Sequence, residues 1–312
     1  MQVVYGAAMA RISCSTWEGG GNVAVFAAFA ERLRARGHEV VIQVSWDKPP
    51  VIEGDLLLLD HMTNNEGIGA AIASGVPTVT VVHTMWSFVP LLEGTFAPAG
   101  YLDLLASVDR NLVFTVRELD GDGVLPPNVR HVGPVIESDG PDAGWRPAGR
   151  PLVVVSLGTT DMGETPVLQR VLDGLARAPV HVVATVGAHI DPAALRVPEN
   201  ARVTSYVRHA AVLPHADVFV GHGGHGGIMA AFAFGVPVVS LPLDRDQPHN
   251  AARVEAVGAG RTVSKDADPV TIADVIESVR LGRRERDGAA RMAAAIAAYG
   301  SAAVDEVEGL LR

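Results

Sequence analysis

The feature that most limits what this 312-residue chain can fold into is the stretch from Asp217 to Ala252, DVFVGHGGHGGIMAAFAFGVPVVSLPLDRDQPHNAA. Asp217 to Gly221 reads as a short apolar strand, Gly226 to Phe234 as an apolar helix closed by Gly235, and Val236 to Leu241 as a second buried strand. A strand, a crossover helix and a further strand make one βαβ unit, which commits the chain to a parallel sheet covered on both faces. Gly221, Gly223, Gly224, Gly226 and Gly227 crowd its first turn. They leave peptide N–H groups bare at a helix N-terminus, where those groups and the helix dipole together attract a diphosphate.

The second strand delivers Asp244, Arg245, Asp246 and Gln247 just before Pro248 opens a helix. In an open parallel sheet the ligand sits outside the carboxyl ends of the strands, so both loops belong to one crevice. A diphosphate at one loop and a hydroxyl-seeking carboxylate and amide at the next describe a nucleotide sugar. The bland alternatives are a helix-capping role for His222 and ordinary N-cap and first-turn chemistry for Asp246 and Gln247. His222-x-x-His225 has zinc-ligand spacing but no third ligand nearby in sequence, so no metal is expected there.

His222-Gly223-Gly224, Gly235-Val236-Pro237, Pro242, Asp246-Gln247 and Asn250 together resemble the donor-binding signature of the inverting GT-B glycosyltransferases. The variant His222-Gly-Gly-His225-Gly-Gly is most similar to the actinobacterial natural-product branch, the antibiotic-tailoring and UDP-glucuronosyltransferase-like enzymes. The resemblance is near-continuous from Leu152 to Ala298 and patchy before it. It implies two Rossmann-like α/β domains with parallel sheets facing across a cleft, a UDP- or dTDP-sugar as co-substrate, a lipophilic small-molecule acceptor, and neither metal nor cofactor. It further implies that His222, Gly223, Gly224, His225 and Gly226 meet the diphosphate, and that Asp246 and Gln247 grip hexose hydroxyls. Gly158 and Thr159, in a turn after a strand, are expected to reach the same diphosphate. Tyr206 and Val207 fall where the family places an aromatic residue and a backbone contact for the base, although this chain departs from the commoner Trp and Pro.

Inverting transfer also needs a group that takes the acceptor's hydroxyl proton. The resemblance places a histidine after the first strand for this, and the matching position holds Asn22, whose amide is no base. Asp60, His61 and His83, at the carboxyl ends of first-domain strands, are the substitutes, each with a structural hydrogen-bonding role as its alternative. Failing those, Asn22 would only orient an already acidic acceptor such as a phenol.

The rest of the chain alternates strand and helix, which predicts α/β with parallel sheets. Met1 to Met9 reads as a leader, Arg11 to Thr16 as the first strand, Val23 to Arg36 as a helix and Glu39 to Val44 as a strand. That first turn lacks the G-x-G-x-x-G spacing, which argues against a nicotinamide or flavin site. Residues 134 to 151 are dense in Pro and Gly, so a linker separates an acceptor-binding domain, 1–140, from a donor-binding domain, 141–312. The last helix is expected to fold back on the first domain. Only about ten residues separate Val44 from Asp55, where the family inserts acceptor-shaping segments.

With 35 acidic against 25 basic residues and a formal charge of −10, a nucleic-acid partner is not expected. No apolar run of about 18 residues predicts a membrane span, and no secretory signal is evident, so the expected location is cytoplasmic. The single Cys14 reads as a packing residue. The competing functional reading is a catalytically silent nucleotide-sugar-binding or scaffold protein, motivated by Asn22 and the trimmed first domain. An epimerase on the same architecture ranks third.

Overall fold

The structure, a computed structural model, describes residues 9–19, 21–45, 48–136, 149–158 and 161–312. In chain order the first elements are β1 (Arg11–Thr16), α1 (Asn22–Ala35), β2 (Glu39–Val44), β3 (Leu56–Asp60), α2 (Asn65–Ala73), β4 (Thr78–Val82), α3 (Tyr101–Ser107), β5 (Arg110–Val113), α4 (Arg117–Asp120) and β6 (Val129–His131). There follow β7 (Leu152–Ser156), α5 (Thr165–Leu175), β8 (His181–Thr185), β9 (Ala201–Thr204), α6 (His209–Val212), β10 (Val218–Gly221), α7 (His225–Ala233), β11 (Val238–Ser240), α8 (Gln247–Ala256), β12 (Gly260–Thr262), α9 (Pro269–Leu281), α10 (Arg283–Tyr299) and α11 (Ala302–Leu310). Residues 1–8 of the expected leader, Thr159 and the 140/141 boundary lie outside the described residues.

The chain divides into two compact units. The first takes the described residues up to Val116, Asp122–Val135 and Tyr299–Arg312, and the second takes Arg117–Gly121 and the described part of Ile136–Ala298. Each holds a six-stranded sheet, ordered β2-β1-β3-β4-β5-β6 in the first unit and β12-β11-β10-β7-β8-β9 in the second. Every pairing is parallel. The second order is the doubly wound dinucleotide-type arrangement, and the first is its flavodoxin-like relative, with a single strand rather than two on the far side of β1.

Burial explains why these segments pair as they do. β3, LLLLD, is buried along its whole length, as a strand covered on both faces must be. On one face of the first sheet, Ile12, Leu56 and Leu58 pack with Phe26, Phe29 and Leu33 of α1 and with Ala303, Val304 and Val307 of α11. On the other, Leu57 and Leu59 pack with Ile68 of α2 and with Tyr101 and Leu105 of α3. The helix that joins the first unit's core is therefore α11, a helix beyond Ala298 that the sequence pattern does not predict. Cys14 is buried, and burial, opposed by Arg34, pushes its thiol up to about 12, so it packs as a neutral side chain.

In the second unit α5 buries Val167, Leu168, Val171, Leu172 and Leu175, one helical stripe, against the core it shares with Ile272 and Ile276 of α9. Gly174 permits this approach, because a Cβ there would stand 2.2 Å from the Pro269 carbonyl oxygen. Gly174→Ala is therefore expected to destabilise. A helix propensity gain of about 1 kcal/mol is outweighed by an overpacking cost of about 1–3 kcal/mol against rigid backbone. A lower urea midpoint checks it, and a raised midpoint would show that α9 yields easily.

Candidate functional site

In the second unit the strand order reverses between β7 and β10, so the crevice outside their carboxyl ends is where a ligand is expected. β7 runs into Gly158 and β10 into His222. The His222 ring sits between two glycines: a Cβ on Gly158 would lie 3.4 Å from its Cε1, and one on Gly224 would lie 2.3 Å from its Nε2. Nδ1 of the ring is buried and has no hydrogen-bond partner. Burial lowers its pKa, partly offset by Asp246, the Ser156 backbone and Glu164, which favours the neutral imidazole.

Helix α7 starts at His225, which lies in its first turn rather than in the preceding glycine turn. The Ile228 N–H bonds Gly224 O at 3.2 Å, and the N–H groups ahead of it point out of the helix end by the geometry of any α-helix. Gly226 has open space around it.

The 244–247 loop comes back onto this turn. Asn250 Nδ2 donates to Gly223 O at 3.0 Å and to Asp246 Oδ2 at 2.8 Å, tying the two loops together. Gly223 has φ +87° and packs so tightly that a Cβ would meet the Gln247 carbonyl at 2.9 Å, so no other residue fits. Among the described residues Arg245, φ 61°, is the only non-glycine in the left-handed region, and it reverses the chain between β11 and α8. Gln247 is buried; its Oε1 accepts from the Leu243 and Asp244 N–H groups at 2.8 and 3.1 Å, and its Nε2 donates to Met162 Sδ at 3.4 Å. Its amide oxygen thus shapes the loop that carries Asp246. Tyr206 is exposed and Val207 half-buried, both after β9.

The first unit shows the same logic at the junction of β1 and β3. Asp60, at the end of β3, is wholly buried, and Thr16 Oγ1, at the end of β1, donates to its Oδ2 at 2.9 Å. Its Oδ1 accepts from the Met62 N–H at 2.9 Å and from His83 Nε2 at 3.1 Å. Burial alone would push Asp60 up, but His83, His61 and the Met62 N–H together outweigh it and bring it to about 2. An ionised Asp60 can only accept, so His83 donates through Nε2 and carries its lone pair on Nδ1. The His83 side chain is 17% exposed where that of Asp60 is 0%, so only the imidazole can reach a substrate.

His61 is buried, its Nδ1 2.9 Å from the Tyr101 hydroxyl and its ring centroid 4.7 Å from that of His83. Asn22 is the first residue of α1, buried, with Nδ2 lacking a hydrogen-bond partner. A cavity of ≈ 120 Å³ opens over these strand ends, lined by Thr16, Trp17, Gln43, Lys48, Met62 and Asn64 among others. Sequence reasoning missed Thr16, Tyr101, Met162 and Glu164. Tyr101 lies 40 residues from His61, and no local pattern marks that partnership.

Two doubly wound parallel units are the GT-B fold. The solved glycotransferase of kitacinnamycin matches with a TM-score of 0.79 at 22% identity over 97% of this chain and 99% of that one. The glycosyltransferase VinC in complex with dTDP matches with a TM-score of 0.73 at 18% identity over 96% and 99%.

Residues 169–308 match the family model described as the erythromycin biosynthesis protein CIII-like C-terminal domain. The sequence is 37% identical over 224 residues to 4'-demethylrebeccamycin synthase of Lentzea aerocolonigenes, covering 68% of this chain and 52% of that protein. It is 33% identical over 213 residues to a PGL/p-HBAD biosynthesis glycosyltransferase of Mycobacterium tuberculosis, covering 65% and 48%. The chain thus spans about half the length of these sequence relatives. Among the described residues no helix is long and apolar enough to cross a membrane.

Proposed function

We propose that this protein is an inverting glycosyltransferase that moves a hexose from a UDP- or dTDP-activated sugar to a lipophilic small-molecule acceptor of the natural-product kind. The observation that carries this is Asn250, which ties Gly223 to Asp246 and so holds a diphosphate-type turn beside a hydroxyl-binding carboxylate. The N-terminus of α7 and His222 would neutralise charge as the diphosphate departs. Asp246 would hold the sugar, with Gln247 bracing its loop. Tyr206 offers its exposed ring to the base. His83, oriented by Asp60, would take the acceptor's hydroxyl proton as that oxygen attacks the anomeric carbon, a role that Asn22 lacks the basicity to perform. The dTDP-bound VinC neighbour and the antibiotic-biosynthesis relatives support the reading. The chemistry described uses no metal.

The test is incubation with UDP- and dTDP-hexoses and a panel of lipophilic phenols and alcohols, reading product and anomeric configuration. Diphosphate binding with neither transfer nor donor hydrolysis would leave a nucleotide-sugar-binding protein instead.

His222 adds a pH signature. It is neutral when free because burial lowers its pKa, and a bound diphosphate favours the imidazolium. Binding therefore takes up a proton, so affinity for UDP should rise as pH falls from above the bound-state pKa to below the free-state one. UDP has its own phosphate titration, so the wild type is compared with His222→Asn by calorimetry across pH. Identical pH slopes in the two proteins would remove His222 from the diphosphate site.

A further inference from the structure

We propose that Asp60, His61 and His83 form a zinc site in the first unit, and that zinc there switches the protein off. One ligand atom from each of the three lies within 4.8 Å of the others, so modest side-chain shifts bring them to the distances of about 2.0–2.2 Å that Zn²⁺ takes from imidazole and carboxylate. Two imidazoles and one carboxylate favour zinc over magnesium, which prefers an all-oxygen shell and keeps its waters.

The outer partners of such a site are already in place. The Tyr101 hydroxyl holds His61 Nδ1, leaving Nε2 as the ligating nitrogen, and Thr16 Oγ1 holds Asp60 Oδ2, turning Oδ1 toward His83. Three protein ligands with the partly exposed His83 at the mouth give the open coordination of a site that exchanges its fourth ligand.

Zinc enters between His83 Nε2 and Asp60 Oδ1, where the proton of their hydrogen bond sits. The displaced proton moves to Nδ1 of the same ring, no proton is lost from a neutral imidazole, and two coordinate bonds replace one hydrogen bond. The imidazole then has no lone pair left for an acceptor hydroxyl. This last consequence rests on the assignment of His83 as the base, whereas the metal site does not.

The experiment titrates ZnCl₂ into the EDTA-stripped full-length protein by calorimetry with neither donor nor acceptor present, with MgCl₂ as the comparison. The expected result is one zinc per chain and no magnesium. His61→Gln should abolish the binding, and Tyr101→Phe, which keeps all three ligands, should weaken it by about 10–100-fold. Cobalt substitution should give visible d–d absorption that His61→Gln loses. Circular dichroism checks the fold of each variant, and if His61→Gln does not fold, Tyr101→Phe and the cobalt spectrum carry the test. No zinc binding, or affinity unchanged in both variants, overturns the site. In the transfer assay, inhibition by zinc that EDTA reverses supports the switch. Zinc bound without inhibition overturns the switch and removes His83 as the base while leaving the metal site standing.

Discussion

His83→Gln should lower kcat by about 10²–10⁴-fold, the usual worth of a positioned general base, while leaving UDP affinity at the wild-type value. The separation is expected because His83 lies in the first unit and the His222 turn, the proposed diphosphate site, in the second. Asp60→Asn should cost a similar factor for a different reason. Thr16 donates to Oδ2 and Met62 and His83 meet Oδ1, whereas an amide offers a single acceptor oxygen and an NH₂ at the other position. With the NH₂ toward His83 it donates to Nε2 instead of accepting, and the imidazole loses the tautomer that leaves Nδ1 basic. Because the two act as one device, the double variant should be little worse than either single one. Multiplicative losses would show that the pair is not a unit, and full turnover in His83→Gln would end its candidacy. Calorimetric UDP binding and single-turnover rates on the same preparations separate these outcomes.

His222→Ala should reduce kcat by about 10²–10³-fold, the range seen when one preorganised donor to a developing oxyanion is removed, and should weaken UDP binding as well. The ring is packed between Gly158 and Gly224, so some of the loss will come from relaxation of the turn. Asp246→Ala distinguishes the contributions. If Asp246 holds the sugar, that variant should bind the intact nucleotide sugar less well while binding UDP as before. Equal losses of UDP and UDP-sugar affinity would instead make Asp246 a brace for the turn, through its bond from Asn250. A thermal-shift series with UDP, dTDP and GDP reads the same affinities through the stabilisation each ligand confers on the folded protein.

The glycine turn at His222 was legible because its pattern is local. Glycines next to His222 and the Asp246-Gln247-Pro248 run are contiguous in the chain, and the strand that delivers each is a plain apolar run. Helix ends were read less well. α7 begins at His225 and takes that residue out of the turn, because a Gly-rich helix start carries no periodic signal. α11, beyond Ala298, was not predicted at all, and its packing against Phe26, Phe29 and Leu33 assigns it to the first unit.

By itself the sequence determined the parallel α/β class and the placement of the glycine turn at a strand end, because each follows from residue type and short spacing; that Asn22 stands where a base is expected follows only from the resemblance. Tertiary structure alone decided which of Asp60, His61 and His83 contacts which: that Asp60 is sealed, that His83 keeps the exposed edge, and that Tyr101 and Thr16 stand behind them. Those pairings join residues on different strands and helices, and no spacing along a chain encodes which neighbours a twisted sheet will bring within hydrogen-bond reach.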